Sequence, residues 1–438
     1  MIVHKKKGGL GLNFYNPNEK IRLMRKRFNM NQADLEDANM TRAFISMMES
    51  GKRNVSKASS RILASKFNAK AIEFGVDISL DDEYFYRKPQ EDARFYCNNE
   101  LLKDNTHEQL EELIEIAKKF ELDDILAEIY KLNADKYFLE SNFIYAFINY
   151  SNCLGKYKEL KNIKEQVYIY NSLGICKAKR SEHEEAIFYY NQAIVYAKEE
   201  NDNNYFLKAS FNLALAYSYL KKYEECIELL DKNIFNSDIQ ITEDVIINAK
   251  VLKANMLYNM GKKDEVLKEY IDIIDSAKDK ESNLMGVVYN NLALFYCDSD
   301  NFEESLKYIG YSQKIKNKVD KTTLSNVLNT KARLFLKQGY YDQSIMLFEL
   351  AISLAEQYKN FLSLIQNYME LIKALELSQD LEKLEYTIIS FINFLEEHEI
   401  SEGRNYALSK LAETLVKQKK DEEAIDTLHK LSNILVEV

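Results

Sequence analysis

The stretch FNLALAYSYLKKYEECIELL, residues 211–230, sets a frame that most of the chain repeats. A small residue, Cys226, is followed four positions later by Leu230 and preceded by Leu213-Ala214 and Tyr217. Apolar residues three, four and seven apart share one face of a helix. The charged turn at Lys221-Lys222 and Tyr223-Glu224-Glu225 divides the stretch into two amphipathic helices. Forty residues earlier Ala186 holds the same place, with Tyr190 and Ala193 after it and Leu173-Gly174 before it. The frame recurs at Ala146, Ala186, Cys226, Val266, Ser305, Ser344, Leu384 and Ala424, in steps of 40, 40, 40, 39, 39, 40 and 40. Self-similarity at this scale predicts a stack of eight helix pairs, each burying its apolar face against the next.

Small residues in the first helix of a pair, such as Leu292-Ala293 or Ala332, let the helices approach closely. Aromatics fill the remaining packing positions at Tyr190, Tyr217, Tyr296, Phe335 and Phe348. These residues resemble tetratricopeptide repeats, although the period exceeds the usual length of about 34 and the closing proline is missing. The resemblance implies a right-handed superhelical array with an extended concave face, running from about 126 to 438. A ninth unit is added if residues 91–122 supply one. The whole chain holds two prolines, Pro17 and Pro89. Proline is the strongest helix breaker, so the expected class is all-α.

Charge divides the 438 residues more sharply than hydrophobicity does. Residues 1–70 carry fifteen Lys/Arg and five Asp/Glu, while the remainder is acidic and the chain as a whole has net charge −10. A basic head on an acidic body is the footprint of a nucleic-acid reader whose body must not adhere to phosphate. The expected organisation is a flexible basic arm over 1–16, a head over 17–75, a linker with a hinge at Pro89 over 76–92, and the array over 93–438. The arm, with Lys5-Lys6-Lys7, would either add phosphate contacts or only solubilise. In the head, 18–28 reads as a helix with Ile21, Met24 and Phe28 inward, and 56–67 as a helix packing Ile62, Leu63 and Phe67.

Between those helices lies NQADLEDANMTRAFISMMESGKR, residues 31–53. It reads as a short helix opened by Gln32 and anchored by Leu35, a turn near Asn39, and a second helix capped by Thr41. Asn39 is expected at the turn because asparagine tolerates the left-handed conformation. Ile45 and Met48 face inward, and Arg42, Ala43 and Met47 face outward. Gln32, Ile45-Ser46 and Glu49-Ser50-Gly51-Lys52-Arg53 resemble the helix-turn-helix domains of phage-repressor type, also called XRE-type. That resemblance implies a second helix lying in the DNA major groove. Arg42, Ala43 and Met47 would then meet base edges, with Ser46 and Thr41 on the same surface and Gln32, Lys52 and Arg53 at phosphates. Glu36 stands where that family has a small residue, and Leu35 to Ile45 is one residue short, as in bacterial peptide-pheromone receptors.

Head and array together resemble the RRNPP family of Gram-positive transcriptional regulators, and the array length is most similar to the NprR subgroup. The resemblance implies a homodimer that binds a two-half-site operator in double-stranded DNA and is switched by a short secreted signalling peptide taken back into the cell. It also implies, for some members of that subgroup, a phosphorelay protein as partner. In arrays of this kind the first helix of each pair lines the inner face. Frame counting places Asn171, Asn248, Asn255, Asn290, Asn326, Asn329 and Arg333 there. Asparagine is a poor helix former, and an amide both donates to and accepts from a peptide main chain. Arg333, on one stripe with Asn326 and Asn329, is placed to meet a carboxylate. A solvated inner face that holds no ligand accounts for the same residues.

Other classes fit less well. Cys97, Cys153, Cys176, Cys226 and Cys297 form no Cys-x-x-Cys, and the five histidines are scattered, so neither a disulfide frame nor a metal site is expected. No cofactor is implied. There is no glycine-rich phosphate loop or nucleophile elbow, which argues against an enzyme. Glu182, Glu184 and Glu185 around His183 read as a solvated repeat corner. With no signal core and no apolar run of about 18 residues, a cytoplasmic protein is expected. The rival reading is a repeat-based adaptor or inhibitor that captures a response-regulator or phosphorelay protein.

Overall fold

A computed structural model of the protein describes residues 13–398 and 400–436. The described residues are all-helical, with twenty-one α-helices packed as paired repeats in a tetratricopeptide-like array; the one β feature is an isolated bridge between Asp37 and Met40. The first three helices, α1 (Pro17–Arg27), α2 (Arg42–Glu49) and α3 (Lys57–Glu73), build the head. Then follow α4 (Pro89–Leu101), α5 (His107–Lys119), α6 (Asp123–Leu139), α7 (Phe143–Glu159), α8 (Ile163–Lys179), α9 (His183–Glu199) and α10 (Asn203–Tyr219). The second half holds α11 (Tyr223–Leu230), α12 (Glu243–Asn259), α13 (Lys263–Ser276), α14 (Asn283–Asp298), α15 (Phe302–Val319) and α16 (Leu324–Lys337). It ends with α17 (Tyr341–Gln357), α18 (Phe361–Ser378), α19 (Leu381–Glu397), α20 (Arg404–Lys417) and α21 (Asp421–Val436). A π-helical segment, Asp231–Phe235, continues α11. The chain divides into two compact units, Met1–Lys222 and Tyr223–Val438, so the division falls inside the array and not between head and array.

The eight frame residues are all buried: Ala146, Ala186, Cys226, Val266, Ser305, Ser344, Leu384 and Ala424. Serine is tolerated in this place because its hydroxyl finds a carbonyl on the preceding helix. Ser305 Oγ donates to Ala293 O at 2.8 Å and Ser344 Oγ to Ala332 O at 2.9 Å. A buried hydroxyl so paired costs little. The other frame cysteine-like position, Cys226, and the remaining four cysteines are buried free thiols.

The long period has a local cause. The helices from α6 to α10 are each 17 residues long and are joined by three-residue corners, so one helix recurs every 20 residues. The middle residue of each corner is left-handed, at Glu121, Ser141, Lys161, Ser181 and Asn201, with φ between 53° and 62°. The residue after it closes one helix and opens the next. Asn142 N donates to Tyr137 O at 2.9 Å, which ties off α6, while Asn142 Oδ1 accepts from Tyr145 N to cap α7. Asn162 and Asp202 act in the same way. This corner needs no proline, which explains why the chain does without one.

Several expectations for the head change. The arm expected over 1–16 lies, as far as residue 12, outside the described residues. Of its last residues, Phe14 packs against Tyr96 and Phe120, and the Asn16 backbone N–H donates to Glu19 at the start of α1. The helix expected to end at 67 runs on to Glu73. Residues 76–92 are not a loose linker: Leu80 and Phe85 belong to the head core, and Asn68 grips the Leu80 backbone twice at 2.8 Å. Pro89 is not a hinge but the first residue of α4, where its missing N–H has no intrahelical partner to lose. Buried Lys20 of α1 ion-pairs with Asp92 of α4 and donates to the carbonyls of Tyr84 and Arg87. Arg87 in turn holds both Asp81 oxygens and Asp92.

Candidate functional site

Within 31–53 the expected first helix is reduced to one 3-10 turn, Ala33–Leu35. Local side chains outcompete the helix. Asn31 Oδ1 accepts from Ala33 N at 2.8 Å and Asp34 Oδ2 accepts from Asn31 N at 2.7 Å, after which Asp37 and Met40 pair through their backbones. Asn39 is not left-handed; the positive-φ residues here are Asn29, φ 51°, just before the stretch, and Gly51, φ 72°, beyond the end of α2. Leu35, Met40, Ile45 and Met48 are fully buried and fix α2 to the head core. Thr41 caps α2 by accepting from Phe44 N, as expected.

The outer face of α2 is open. Thr41, Arg42, Ala43, Ser46 and Met47 are exposed, and so are Lys52 and Arg53 beyond its end. Glu36, the residue out of keeping with the family pattern, accepts from the Arg42 N–H at 2.7 Å and so occupies a donor at the N-terminus of α2. Arg53 lies over the Phe44 ring at 4.3 Å. Gln32 is not free for phosphate: its amide donates to Glu49 Oε2 at 2.7 Å. Buried Glu49 also accepts from Arg25 Nε at 2.7 Å, and this bond raises the Arg25 pKa above its ordinary value. Gln32 therefore braces the head from inside, in a network that sequence spacing did not reveal because Arg25, Gln32 and Glu49 come from three separate segments.

The residues expected on the concave face are largely committed to their neighbours. In the first unit, Asn171 is buried and accepts from Asn212 Nδ2 at 3.0 Å. In the second unit, Asn248 is exposed and its amide donates to its own helix at Asp244 O, 2.8 Å. Asn255 accepts from Tyr270 OH at 3.0 Å. Asn326 Oδ1 accepts from Ser363 Oγ, and Asn329 Nδ2 donates to Asn367 Oδ1, both at 2.8 Å and both from α16 to α18. Arg333 does meet a carboxylate, but an internal one, Asp298, at 3.5 Å. Asp298 also receives Tyr258 OH at 2.5 Å. Only Asn290 retains a buried carbonyl oxygen with no partner in the set named from the sequence.

Three of these amides, Asn171, Asn326 and Asn329, thus serve as polar seams between first helices of successive repeats. A buried polar group costs free energy unless paired, and asparagine paired with asparagine or serine satisfies that demand while fixing the register between helices. A sequence signal for the seam existed: Ser325 and Ser363, and Asn329 and Asn367, recur at 38 residues, near the repeat interval.

The sequence matches the tetratricopeptide repeat family over residues 207–232 and 325–358. No curated protein matches it. Among solved structures the chain is similar to the apo form of the quorum sensor NprR from B. thuringiensis, at 16% identity and a TM-score of 0.52, over 79% of this chain and 98% of that one. It is also similar to a Rap protein complexed with competence and sporulation factor, at 13% identity and a TM-score of 0.44, over 96% and 99% of the two chains. Yeast Tom70 is matched at 14% identity and a TM-score of 0.48, over 95% and 73%. At 16% identity the likeness to the NprR structure is one of fold alone. Among the described residues no helix is long and apolar enough to cross a membrane.

Proposed function

We propose that the chain is a peptide-responsive transcriptional regulator and not an enzyme. Its head, a helix-turn-helix with an abbreviated first helix, binds operator DNA as part of a homodimer, and its repeat array takes a short signalling peptide. The observation that carries this reading is the state of α2. Its inner face is locked by Ile45, Met48 and the Arg25–Glu49–Gln32 network, while Arg42, Ala43, Ser46 and Met47 are exposed and Lys52 follows at the exit. An exposed helix held on a rigid base, with cations at its ends, suits insertion into a major groove. The likeness in fold to a quorum sensor agrees with peptide sensing by the array. Peptide contact then falls to groups the seams leave over, exposed Asn248 and the unpartnered Asn290 oxygen.

The test is DNA binding by the full chain to duplexes selected from a random pool, followed across salt concentrations. Arg42→Ala is expected to relax sequence choice at a cost of about 1–3 kcal/mol, and Lys52→Ala to weaken all sequences alike and flatten the salt dependence. If Arg42→Ala leaves affinity and preference untouched, α2 is not the reading element.

A second reading, a protein-capturing adaptor whose partner is a response regulator or phosphorelay protein, is favoured by one feature. Met346 and Leu350 of α17, Tyr386 and Ile389 of α19, and Ile425 and Leu428 of α21 are all exposed, within one to six residues of the frame position of each successive second helix. Apolar patches of this kind mark association surfaces. An adaptor would show no steep loss of DNA binding with salt, because there would be none to lose.

A further inference from the structure

The head carries more cations than its reading helix uses, and the structure sorts them into two groups. Two of those on α3, Lys57 and Arg61, are answered by acids from the segment that follows it, and Lys70 by Glu73 within the helix. Lys57 Nζ meets Glu83 Oε1 at 2.6 Å and Arg61 Nε meets Asp82 Oδ2 at 2.9 Å. This segment is held in place by Leu80 and Phe85 in the head core and by the Ser60 hydroxyl, which accepts from Phe85 N at 3.1 Å. Arg22 of α1, like Lys26 and Arg27, is exposed, and among the described residues no acid lies within ion-pair distance of it.

The place of Arg22 follows from its neighbours on the helix. Asn18, Arg22 and Arg25 are spaced four and then three apart, so they share one stripe of α1. Both ends of that stripe touch the exit of α2. The Asn18 amide lies 3.6 Å from where a Cβ on Gly51 would stand, and Arg25 grips Glu49. Arg22, between them, therefore stands beside the Gly51-Lys52 exit, next to the cations already assigned to phosphate.

We propose that the DNA-phosphate surface of the head continues from the α2 exit onto α1 through Arg22, and that Asp82 and Glu83 close it on the α3 side by neutralising Lys57 and Arg61. This rests on the reading of the head as a DNA-binding domain and gives that surface its extent. A cation with an intramolecular counterion releases no salt ion when DNA approaches, whereas an unpaired one does. The acidic segment after α3 thus acts as a screen that confines the duplex to one side of the head.

The experiment is fluorescence anisotropy of a labelled random-sequence duplex with the full chain, giving the slope of log affinity against log salt. Arg22→Gln is expected to make the slope shallower by about one unit, and Arg22→Lys to restore it, since charge and not shape is what phosphate reads. The double variant D82N/E83Q is expected to bind the same duplex more tightly and with a steeper slope, because it frees two cations. A wild-type slope in Arg22→Gln overturns the extension onto α1, and a wild-type slope in D82N/E83Q overturns the screen. A wild-type chain whose duplex binding does not depend on salt would instead remove the DNA-binding reading on which both stand.

Discussion

Gly174 shows how one residue sets the distance between two helices. A Cβ there would come within 2.5 Å of the Tyr190 ring on α9, too close for any rotamer adjustment by α8 itself. The tyrosine is buried and cannot swing into solvent. Gly174→Ala is therefore expected to destabilise the first unit by about 1–3 kcal/mol, measured by urea unfolding followed by circular dichroism. Gly155 and Gly310, which have nothing within 4 Å of a built Cβ, are the matching controls and should tolerate alanine. Asparagine at Asn171, Asn329 and Asn367 serves the same end by another means, since its hydrogen bonds hold neighbouring first helices in register.

At the scale of the element, the corner decides the architecture. A left-handed residue costs an ordinary side chain about 1–2 kcal/mol, and the array accepts that cost at Glu121, Ser141 and Lys161, where the side chains are exposed. Gly261 and Gly339 show that glycine fits the same corner, with φ of 76° and 82°. Ser141→Gly is expected to stabilise by about 0.5–1 kcal/mol, the left-handed cost less the extra entropy glycine loses on folding. An unchanged thermal midpoint in the full chain would show that the corner is unstrained.

At the scale of the molecule, within its first unit, the head is clasped to the start of the array. Lys20, Asp81, Arg87 and Asp92 form one connected set of ion pairs, with Phe14 packed on Tyr96 and Phe120 beside it. These contacts hold residues 81–92 against α1 and the start of α4. Burial alone would raise the Asp81 pKa, but hydrogen bonds from Arg87 and its charge outweigh that and hold it below the ordinary 3.8. A carboxyl depressed in the folded state contributes stability that is complete above its unfolded pKa and is lost as pH falls through the folded one. Acid below about pH 3.8 is thus expected to loosen the joint, read as faster cleavage by pepsin within 76–92, while trypsin at neutral pH spares Arg87. Asp81→Asn should remove the part of this pH dependence that Asp81 supplies; cleavage at Arg87 in the native chain at neutral pH would show the joint to be open.

By itself the sequence determined the repeat. The frame from Ala146 to Ala424, the buried inner faces of α1 and α2 and the cap at Thr41 were legible because each depends on spacing within one or two helices, and periodicity records such spacing directly. The tertiary structure alone decided how polar groups were spent. Gln32 turns inward because Glu49, seventeen residues away, needs donors once it is buried; Asn326, Asn329 and Arg333 turn to their neighbours because the adjacent repeat offers partners at hydrogen-bond distance. Residues 76–92 become a clasp because Lys20, buried on α1, requires a carboxylate from α4. Pairings between distant segments leave no period in the chain, so only the folded arrangement could reveal them.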